Sequence, residues 1–224
     1  MYHKITIAGN LGRDPEMRIL DLFAGLGGEQ RRSVIENMGH EYTTMDFNPE
    51  FNCDITADIL NIDLDTFREL GKIDFLWASP PCEGFSVASL GHHWNRDGTP
   101  KTERAIRGMR MVMKTIDIIE ELNPAAWIIE NPRGKLRKMY FMRWFNRWTI
   151  TYCQYGDNRM KPTDLWGVVP GWNPRPMCKN GDTCHIAAPR GSKTGTQGIR
   201  TYSDRSIVPL ELWIEILTQL AKEN

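Results

Sequence analysis

The spacing of apolar residues along this chain changes period several times, and each change marks an element. Residues 18–23, RILDLF, make a short apolar run that ends in the small-residue turn AGLGG and passes into a polar stretch over 29–38. That succession reads as a buried strand, a tight glycine turn and a helix, the opening of a nucleotide-type α/β unit. Further strands are predicted over 41–45, ending at Asp46, and over 72–78, KIDFLWA, which runs into Ser79-Pro80-Pro81-Cys82; a short element lies near 53–60. Ile106, Met109, Val112, Met113, Ile116, Ile119 and Leu122 recur at spacings of three and four, so 103–122 is predicted to be an amphipathic helix. A strand over 125–130, another over 148–154, a Pro-, Gly- and Asn-rich tract over 161–198 and a closing helix over 208–221 complete the pattern. Strands and helices alternating in this order predict an α/β fold, a Rossmann-like, doubly wound and mostly parallel sheet.

The 224 residues suffice for one large domain, or one domain with a small appendage. With 41% hydrophobic and 25% charged residues the chain fits the globular class rather than the disordered or collagenous ones. No apolar run reaches the roughly 18 residues that a membrane span needs. The first residues, MYHKITIAGN, lack a basic region, a long apolar stretch and a cleavage site, so a cytoplasmic protein is expected. Five cysteines, an odd number without an export signal, argue against a disulfide framework and leave each thiol to be judged for catalysis or metal binding. The 28 basic and 28 acidic side chains cancel overall but segregate: 21–74 carries 12 acidic against 4 basic residues, whereas 131–161 carries 8 basic residues and only Asp157. The basic stretch is interleaved with Tyr140, Phe141, Trp144, Phe145 and Trp148, the mixture that contacts phosphates and bases, so a nucleic-acid partner is expected despite neutrality.

In an open α/β sheet the ligand sits beyond the carboxyl ends of the strands, and three reactive positions fall at such ends: Asp46, Cys82 and Glu130. Asp46 is placed either to accept hydrogen bonds from ribose hydroxyls or to cap a helix. The glycine turn does not complete G-x-G-x-x-G, so a dinucleotide is not specifically indicated. Cys82 follows two prolines on a stiffened turn; it is either an inert buried thiol or, beside basic residues, a nucleophile of lowered pKa. Glu130 ends the run WIIE, where partial burial suits a carboxyl group to donate or share a proton, the alternative being a carboxylate held by backbone amides. A thiol, a proton-sharing carboxyl group and a nucleoside-type pocket together suggest covalent activation of a ring carbon followed by group transfer. Cys178 and Cys184-His185 could offer three soft ligands, with His92, His93 or Cys153 as a distant fourth, but the spacing is not that of a two-cysteine knuckle and no metal is expected.

Four motifs, DLFAGLGG at 21–28, SPPCEGFS at 79–86, IIENP at 128–132 and QYGDNRMK at 154–161, in this order strongly resemble the DNA cytosine-5 methyltransferases, in particular the short versions of bacteriophages and prophages. The resemblance runs from about residue 18 to the C-terminus. It implies that Phe23, Ala24, Gly25, Gly27 and Gly28 form a loop for S-adenosylmethionine, that Asp46 takes the ribose hydroxyls, that Phe47 packs on the adenine, that Asp58 and Ile59 reach the adenine edge and that Pro80 lines the methyl-donor side. It further implies Cys82 as the nucleophile that attacks C6 of a flipped cytosine, Glu130 as the residue that engages N3 and the exocyclic amine, and Arg159 as the arginine that helps hold the base. Residues 85–97 would close over that base. DNA contacts are expected from Ser86, Arg133, Arg137, Lys138 and Lys161, and from Arg190 and Lys193 in a tract that matches no phosphate loop.

The chain departs from the family pattern in three places. It has Glu130-Asn131-Pro132 where Glu-Asn-Val is usual, Lys161 where a second arginine is usual, and no visible final asparagine-containing motif. Only a short tract stands where the family usually carries a sizeable recognition domain, so sequence readout is expected to be small or supplied by a second chain. The expected layout is an extension over 1–17, a catalytic domain over 18–160, a reduced recognition region over 161–205 and a helix over 206–224 that packs on the catalytic domain. The first 17 residues resemble the start of a single-stranded DNA-binding protein of the oligonucleotide-binding class, and are too few to form that fold. A partner-dependent regulatory subunit, or the same covalent chemistry with a modified donor group, are the alternative functions.

Overall fold

A strand that is apolar on both faces must be covered on both faces. FLWA at 75–78 and ILDL at 19–22 are such strands, buried throughout. A computed structural model describes residues 17–87, 90–179, 181–187 and 206–223. Its elements are β1 (Arg18–Leu22), α1 (Gly27–Asn37), β2 (Glu41–Asp46), β3 (Ile55–Thr56), α2 (Leu64–Arg68), β4 (Phe75–Ala78), α3 (Leu90–His93), α4 (Glu103–Leu122), β5 (Ala126–Pro132), β6 (Arg147–Thr151), β7 (Pro162–Val168) and α5 (Leu210–Glu223). The strands make a seven-stranded sheet of order β3-β2-β1-β4-β5-β7-β6 with β1 and β4 at its centre. β1 pairs in parallel with β2 and β4, β2 with β3 and β4 with β5, whereas β7 runs antiparallel between β5 and β6. This is the mostly parallel α/β sheet expected. Its strand order turns back at the β1/β4 pair, the switch point beyond which the carboxyl ends leave a crevice.

Period-two alternation divides the core between the two faces. Ile19, Phe75, Trp77 and Ile128 join one cluster, covered by Leu212, Trp213, Ile216 and Leu217 of α5. Leu20, Leu22, Leu76, Ala78 and Ile129 join the other, covered by Ala105, Met111, Val112, Ile118 and Ile119 of α4. Trp213 stands at the centre of the first face, with ring centroids 4.7 Å from Trp77, 5.9 Å from Phe75 and 6.2 Å from Tyr42. The C-terminal helix packs on the sheet through this indole together with Leu212, Ile216 and Leu217. α4 starts where Thr102 Oγ1 accepts the Ala105 amide at 3.3 Å and stops at Asn123, which adopts a left-handed conformation. Among the described residues no helix is long and apolar enough to cross a membrane.

Two elements differ from the sequence reading. Met17, expected in the extension, is buried in the core and accepts the Glu41 amide at 2.9 Å. More importantly, the first residues of the Pro-, Gly- and Asn-rich tract are β7, an interior strand of the sheet. Its Asp164 is fully buried, satisfied by Arg137 and by Thr149 Oγ1 at 2.8 Å, and its Gly167 lies against Trp127 of β5. A buried charge and a glycine both speak for a turn locally, and both are accommodated only by neighbouring strands. A Cβ on Gly167 would collide with the Trp127 carbonyl, whereas one on Gly39 meets nothing, although Gly39 has φ +91°. Gly39→Ala is expected to cost only left-handed backbone strain, about 1–2 kcal/mol. Gly167→Ala should lower the urea midpoint much further, because it must separate β5 from β7.

Candidate active site

The crevice beyond β1 and β2 is shaped by a turn with little room for side chains. After β1 the chain passes through Phe23 and Gly25, at φ +63° and +55°. There the Ala24 amide donates to the Met45 carbonyl at 3.0 Å and the Gly25 amide to Asp46 Oδ2 at 3.1 Å. A Cβ on Gly27 would strike the Arg31 guanidinium, and Gly28 lies within the turn against Ala24 and Thr44. Arg31 is itself buried: Nη2 reaches Asp21 Oδ2 at 2.6 Å and the Ala24 carbonyl at 3.0 Å, and Tyr42 donates its hydroxyl to the same carboxylate. One buried ion pair thus holds strand, helix and turn in register.

Asp46 also accepts the Asn48 amide on Oδ1 at 3.0 Å. Burial pushes its carboxyl group above the usual range, against the pull of those amides. Phe47, beside it, is 65% exposed, a bare ring at the mouth of the crevice. Asp58 takes Arg107 Nη2 at 2.6 Å and the Leu60 amide at 3.1 Å; burial opposes ionisation, but these partners hold its pKa below the usual range. Ile59 is buried next to it.

The loop after β4 is clamped from three sides. The Ser79 amide donates to the Leu22 carbonyl at 3.1 Å, Asn131 Nδ2 to the Pro80 carbonyl at 2.9 Å, and the Cys82 carbonyl accepts the amides of Phe85 and Ser86, both at 2.9 Å. Phe85 is fully buried and Trp94 donates its indole N–H to the Gly84 carbonyl at 2.5 Å, so both ends of the segment expected to close over a base are anchored in packing. A single cavity of about 560 Å³ joins this loop to the glycine turn. Its wall includes Phe23, Ala24, Gly25, Gly27, Asp46, Phe47, Asp58, Ile59 and Pro80 at one end, and Cys82, Ser86, Glu130 and Lys161 at the other.

Glu130 is 4% exposed and accepts the Tyr152 hydroxyl on Oε1 at 2.8 Å. Lys161 Nζ lies 4.4 Å from the centroid of the same Tyr152 ring. Burial lowers the pKa of Lys161, against the opposing pull of Glu130 and Cys82. Burial pushes the Cys82 thiol up; the Lys161 cation works against that, while Glu130 and Glu83 add to it. Of the two sequence readings of Cys82, the raised value is that of the buried thiol rather than the lowered one, burial being the largest cause. Arg159 does not line the cavity. It is buried behind it, Nε bonding both Asp157 carboxylate oxygens at 2.8 Å and Nη2 donating to the Ile207 carbonyl at 3.1 Å.

The sequence model of the C-5 cytosine-specific DNA methylases matches residues 17–156, most of the sheet and both ends of this cavity. The chain belongs to that family. Its enzyme class is accordingly DNA (cytosine-5)-methyltransferase. It is 28% identical over 218 residues to a probable DNA (cytosine-5)-methyltransferase of Frog virus 3 (isolate Goorha), an alignment that covers 90% of this chain and 99% of that protein. Among solved structures, the methyltransferase EhMeth of Entamoeba histolytica superposes with a TM-score of 0.51 at 14% identity, over 73% of this chain and 57% of that one, and shares the fold. The Dnmt2 methyltransferase of S. pombe gives 0.47 at 18% identity, over 67% and 50%. The chain spans about half the length of these solved methyltransferases.

Beside the methylase cleft runs a groove of about 450 Å³ lined by Trp94, Arg96, Arg133, Lys135, Arg137 and Lys138, among others. Arg133, Arg137 and Lys138 were expected at DNA and share this groove, although Arg137 also spends Nε on Asp164 Oδ2 at 2.9 Å. Lys161 was expected there too and stands in the cleft instead. Arg190 and Lys193 lie outside the described residues. Sequence reasoning missed Arg31, Tyr152 and Asn131, which touch the turn, Glu130 and the Cys82 loop; Asn131 alone had a signal, its place next to Glu130. It also missed Ser206, Ile207 and Val208, which close the cavity from the C-terminal side. Cys153, rather than His92 or His93, converges with Cys178, Cys184 and His185.

Two outcomes follow from the electrostatics. Thiolate is the reactive form, so the iodoacetamide labelling rate of Cys82, followed by peptide mass spectrometry, should rise with pH around a midpoint above the ordinary thiol value of about 8.5. Lys161→Met should move that midpoint higher still. Arg31→Met would strand Asp21 in the core and should cost about 3–5 kcal/mol in urea denaturation.

Proposed function

We propose that this cleft transfers a methyl group from S-adenosylmethionine to C5 of a cytosine turned out of DNA, by way of a covalent bond between Cys82 Sγ and C6 of the base. The observation that carries the reading is continuity: a glycine-lined, acid-edged end and a Cys82–Glu130–Lys161 end belong to one cavity. The donor end suits an adenosyl group. Gly25 and Gly27 leave backbone where side chains would intrude, Asp46 presents a carboxylate for ribose hydroxyls, and Phe47 offers an uncovered ring for an adenine. Asp58 and Ile59 would meet the adenine edge, and Pro80 the methyl side. The donor supplies a methyl group already activated on a sulfonium centre.

Cytosine C5 is too weak a nucleophile to accept methyl until C6 has been attacked. Cys82 gives up its proton to solvent as the base arrives, and the Lys161 ammonium stabilises the thiolate in a cleft that otherwise disfavours it. Glu130, its carboxyl plane fixed by the Tyr152 hydroxyl, shares a proton with N3 and accepts from the exocyclic amine. Electron density from the new Sγ–C6 bond then reaches C5, which would take methyl as the donor's sulfonium–methyl bond breaks and a neutral thioether leaves. Loss of the C5 proton to a general base lets the Sγ–C6 bond break, and the ring and the thiol are restored. Arg159, held by Asp157, acts from behind Tyr152 rather than on the base directly.

DNA is the substrate that the basic groove beside the cleft suits, with Arg133, Lys135 and Lys138 on the phosphate backbone. Base extrusion costs a few kcal/mol, offset by contacts in the pocket. Sequence readout belongs to the segment after β7, alone or with a second chain.

The test is tritium transfer from labelled S-adenosylmethionine to DNA, with nucleoside mass spectrometry on the product. Label should appear as 5-methylcytosine with the native chain and not with Cys82→Ala, which keeps its fold and its donor binding. Glu130→Gln should lower the rate by about 10²–10⁴-fold. A 5-fluorocytosine duplex should trap a covalent adduct at Cys82. Undiminished transfer by Cys82→Ala overturns the mechanism, and donor and DNA binding without transfer would favour a partner-dependent subunit.

A further inference from the structure

Away from the cleft, four side chains with soft or borderline donor atoms converge. Cys153 lies in the turn that ends β6, and Cys178, Cys184 and His185 lie in the tract after β7, yet their ligand atoms all fall within 4.8 Å of one another. Sγ of Cys153 is 3.1 Å from that of Cys178 and 3.6 Å from that of Cys184. His185 Nδ1 is 3.7 Å from Cys178 Sγ and 3.6 Å from Cys184 Sγ. A tetrahedral zinc ion with bonds of about 2.3 Å to sulfur and about 2.0–2.1 Å to nitrogen spaces its ligands about 3.8 Å apart between sulfurs and about 3.6 Å between sulfur and nitrogen. Most of the observed separations lie close to those edges.

We propose that Cys153, Cys178, Cys184 and His185 bind one zinc ion in a closed, four-ligand structural site. Three thiols give their protons to solvent as three Zn–S bonds form, and neutral His185 completes the set through Nδ1. Three thiolates and an imidazole are the donors that select zinc over harder cations. A disulfide between Cys153 and Cys178 would account for one close pair but not for the convergence of Cys184 and His185 on the same point. A polar group also meets the cluster from outside it: Gln154 Nε2 points at Cys184 Sγ at 3.4 Å, the kind of neighbour that tunes a thiolate ligand.

The site would act as a staple. Residues 169–179 and 181–187 contain no helix or strand. Their described ties to the body include Cys178 N to Thr151 Oγ1 at 3.0 Å, Ile186 N to the Asn158 carbonyl at 2.9 Å and Arg175 N to the Tyr155 hydroxyl at 2.9 Å. Every one of these partners lies within 151–158, the turn that also carries Tyr152 against Glu130. Zinc there would tie Cys178, Cys184 and His185 to the turn whose Tyr152 bonds Glu130 of the cleft. The assignment is independent of the methyl-transfer reading, because it concerns ligand geometry alone.

The test is metal analysis of the full chain purified without chelator, with a thiol-directed mercurial to release bound zinc to a colorimetric indicator. One zinc per chain is expected, lost in Cys153→Ser, Cys178→Ser and Cys184→Ser and retained in Cys53→Ser. Because a variant could lose metal merely by unfolding, the native chain expressed in cobalt medium supplies a second readout: the strong visible bands of a tetrahedral ion with thiolate charge transfer. A zinc-free native chain, zinc that survives Cys178→Ser and Cys184→Ser, an octahedral cobalt spectrum, or a Cys153–Cys178 disulfide in the peptide map of fresh protein would each overturn the site.

Discussion

The guanidinium of Arg31 sits in the interior, between the carboxylate of Asp21 and the ring of Trp213, whose centroid is 5.0 Å away. Asp21 belongs to β1, Arg31 to α1, Tyr42 to β2 and Trp213 to α5, and the remaining reach of the guanidinium ends on the Ala24 carbonyl in the glycine turn. Burying an ion pair rarely adds net stability, since desolvation cancels most of the attraction. What it supplies here is registration. Once both charges are in the core, any displacement of the turn or the first helix against the sheet leaves a charge without its partner, so the glycine-lined end of the cleft is held against the sheet.

At the other end of the cleft, Cys82, Glu130 and Lys161 share the wall. Cys82 lies where burial and two carboxylates disfavour the thiolate and one lysine favours it. A thiol in such surroundings rests protonated to higher pH than a free one. Tyr152 links the two sides of this balance: it donates to Glu130 and lies under Lys161 with its ring face. Removing either cation or carboxylate therefore alters the others, and Arg159 behind them is held by Asp157 rather than competing for the base.

The chain achieves this within about half the length of the solved methyltransferases it resembles. After β7 the chain carries no helix or strand over residues 169–179 and 181–187. The first residues of this stretch are held by the core, where Val169 and Trp172 are buried, and by α5, whose Glu215 accepts Trp172 Nε1 at 3.0 Å, whereas Cys178 and Ile186 are tied to the turn after β6. A tetrahedral ligand set is an economical way for a small protein to hold such a stretch, because a metal fixes four side chains without burying apolar surface.

Along a single chain, hydrophobic spacing was enough to define α4, whose predicted limits of 103 and 122 are those observed, and to find the strands β2, which ends at Asp46, β4, which ends at Ala78 shortly before Cys82, and β5, which carries Glu130. Both follow from periodicity, a local property that survives without knowledge of neighbours. The family motifs likewise hold about half of the residues that line the cavity, whereas Arg31, His93, Arg104 and Ser206 to Val208 reach it only through the fold. β7 escaped notice because Asp164 and Gly167 are poor strand residues until Arg137, Thr149 and the backbone of Trp127 are placed against them. The direction of the Cys82 shift depended on which side of the proline turn faced the interior, and the joining of Cys153 to Cys178, Cys184 and His185 on a return of the chain across two strands. Spacing states which residues lie on one side of an element; burial, charge balance and ligand sets are sums over neighbours distant in sequence, and the fold alone brings those together.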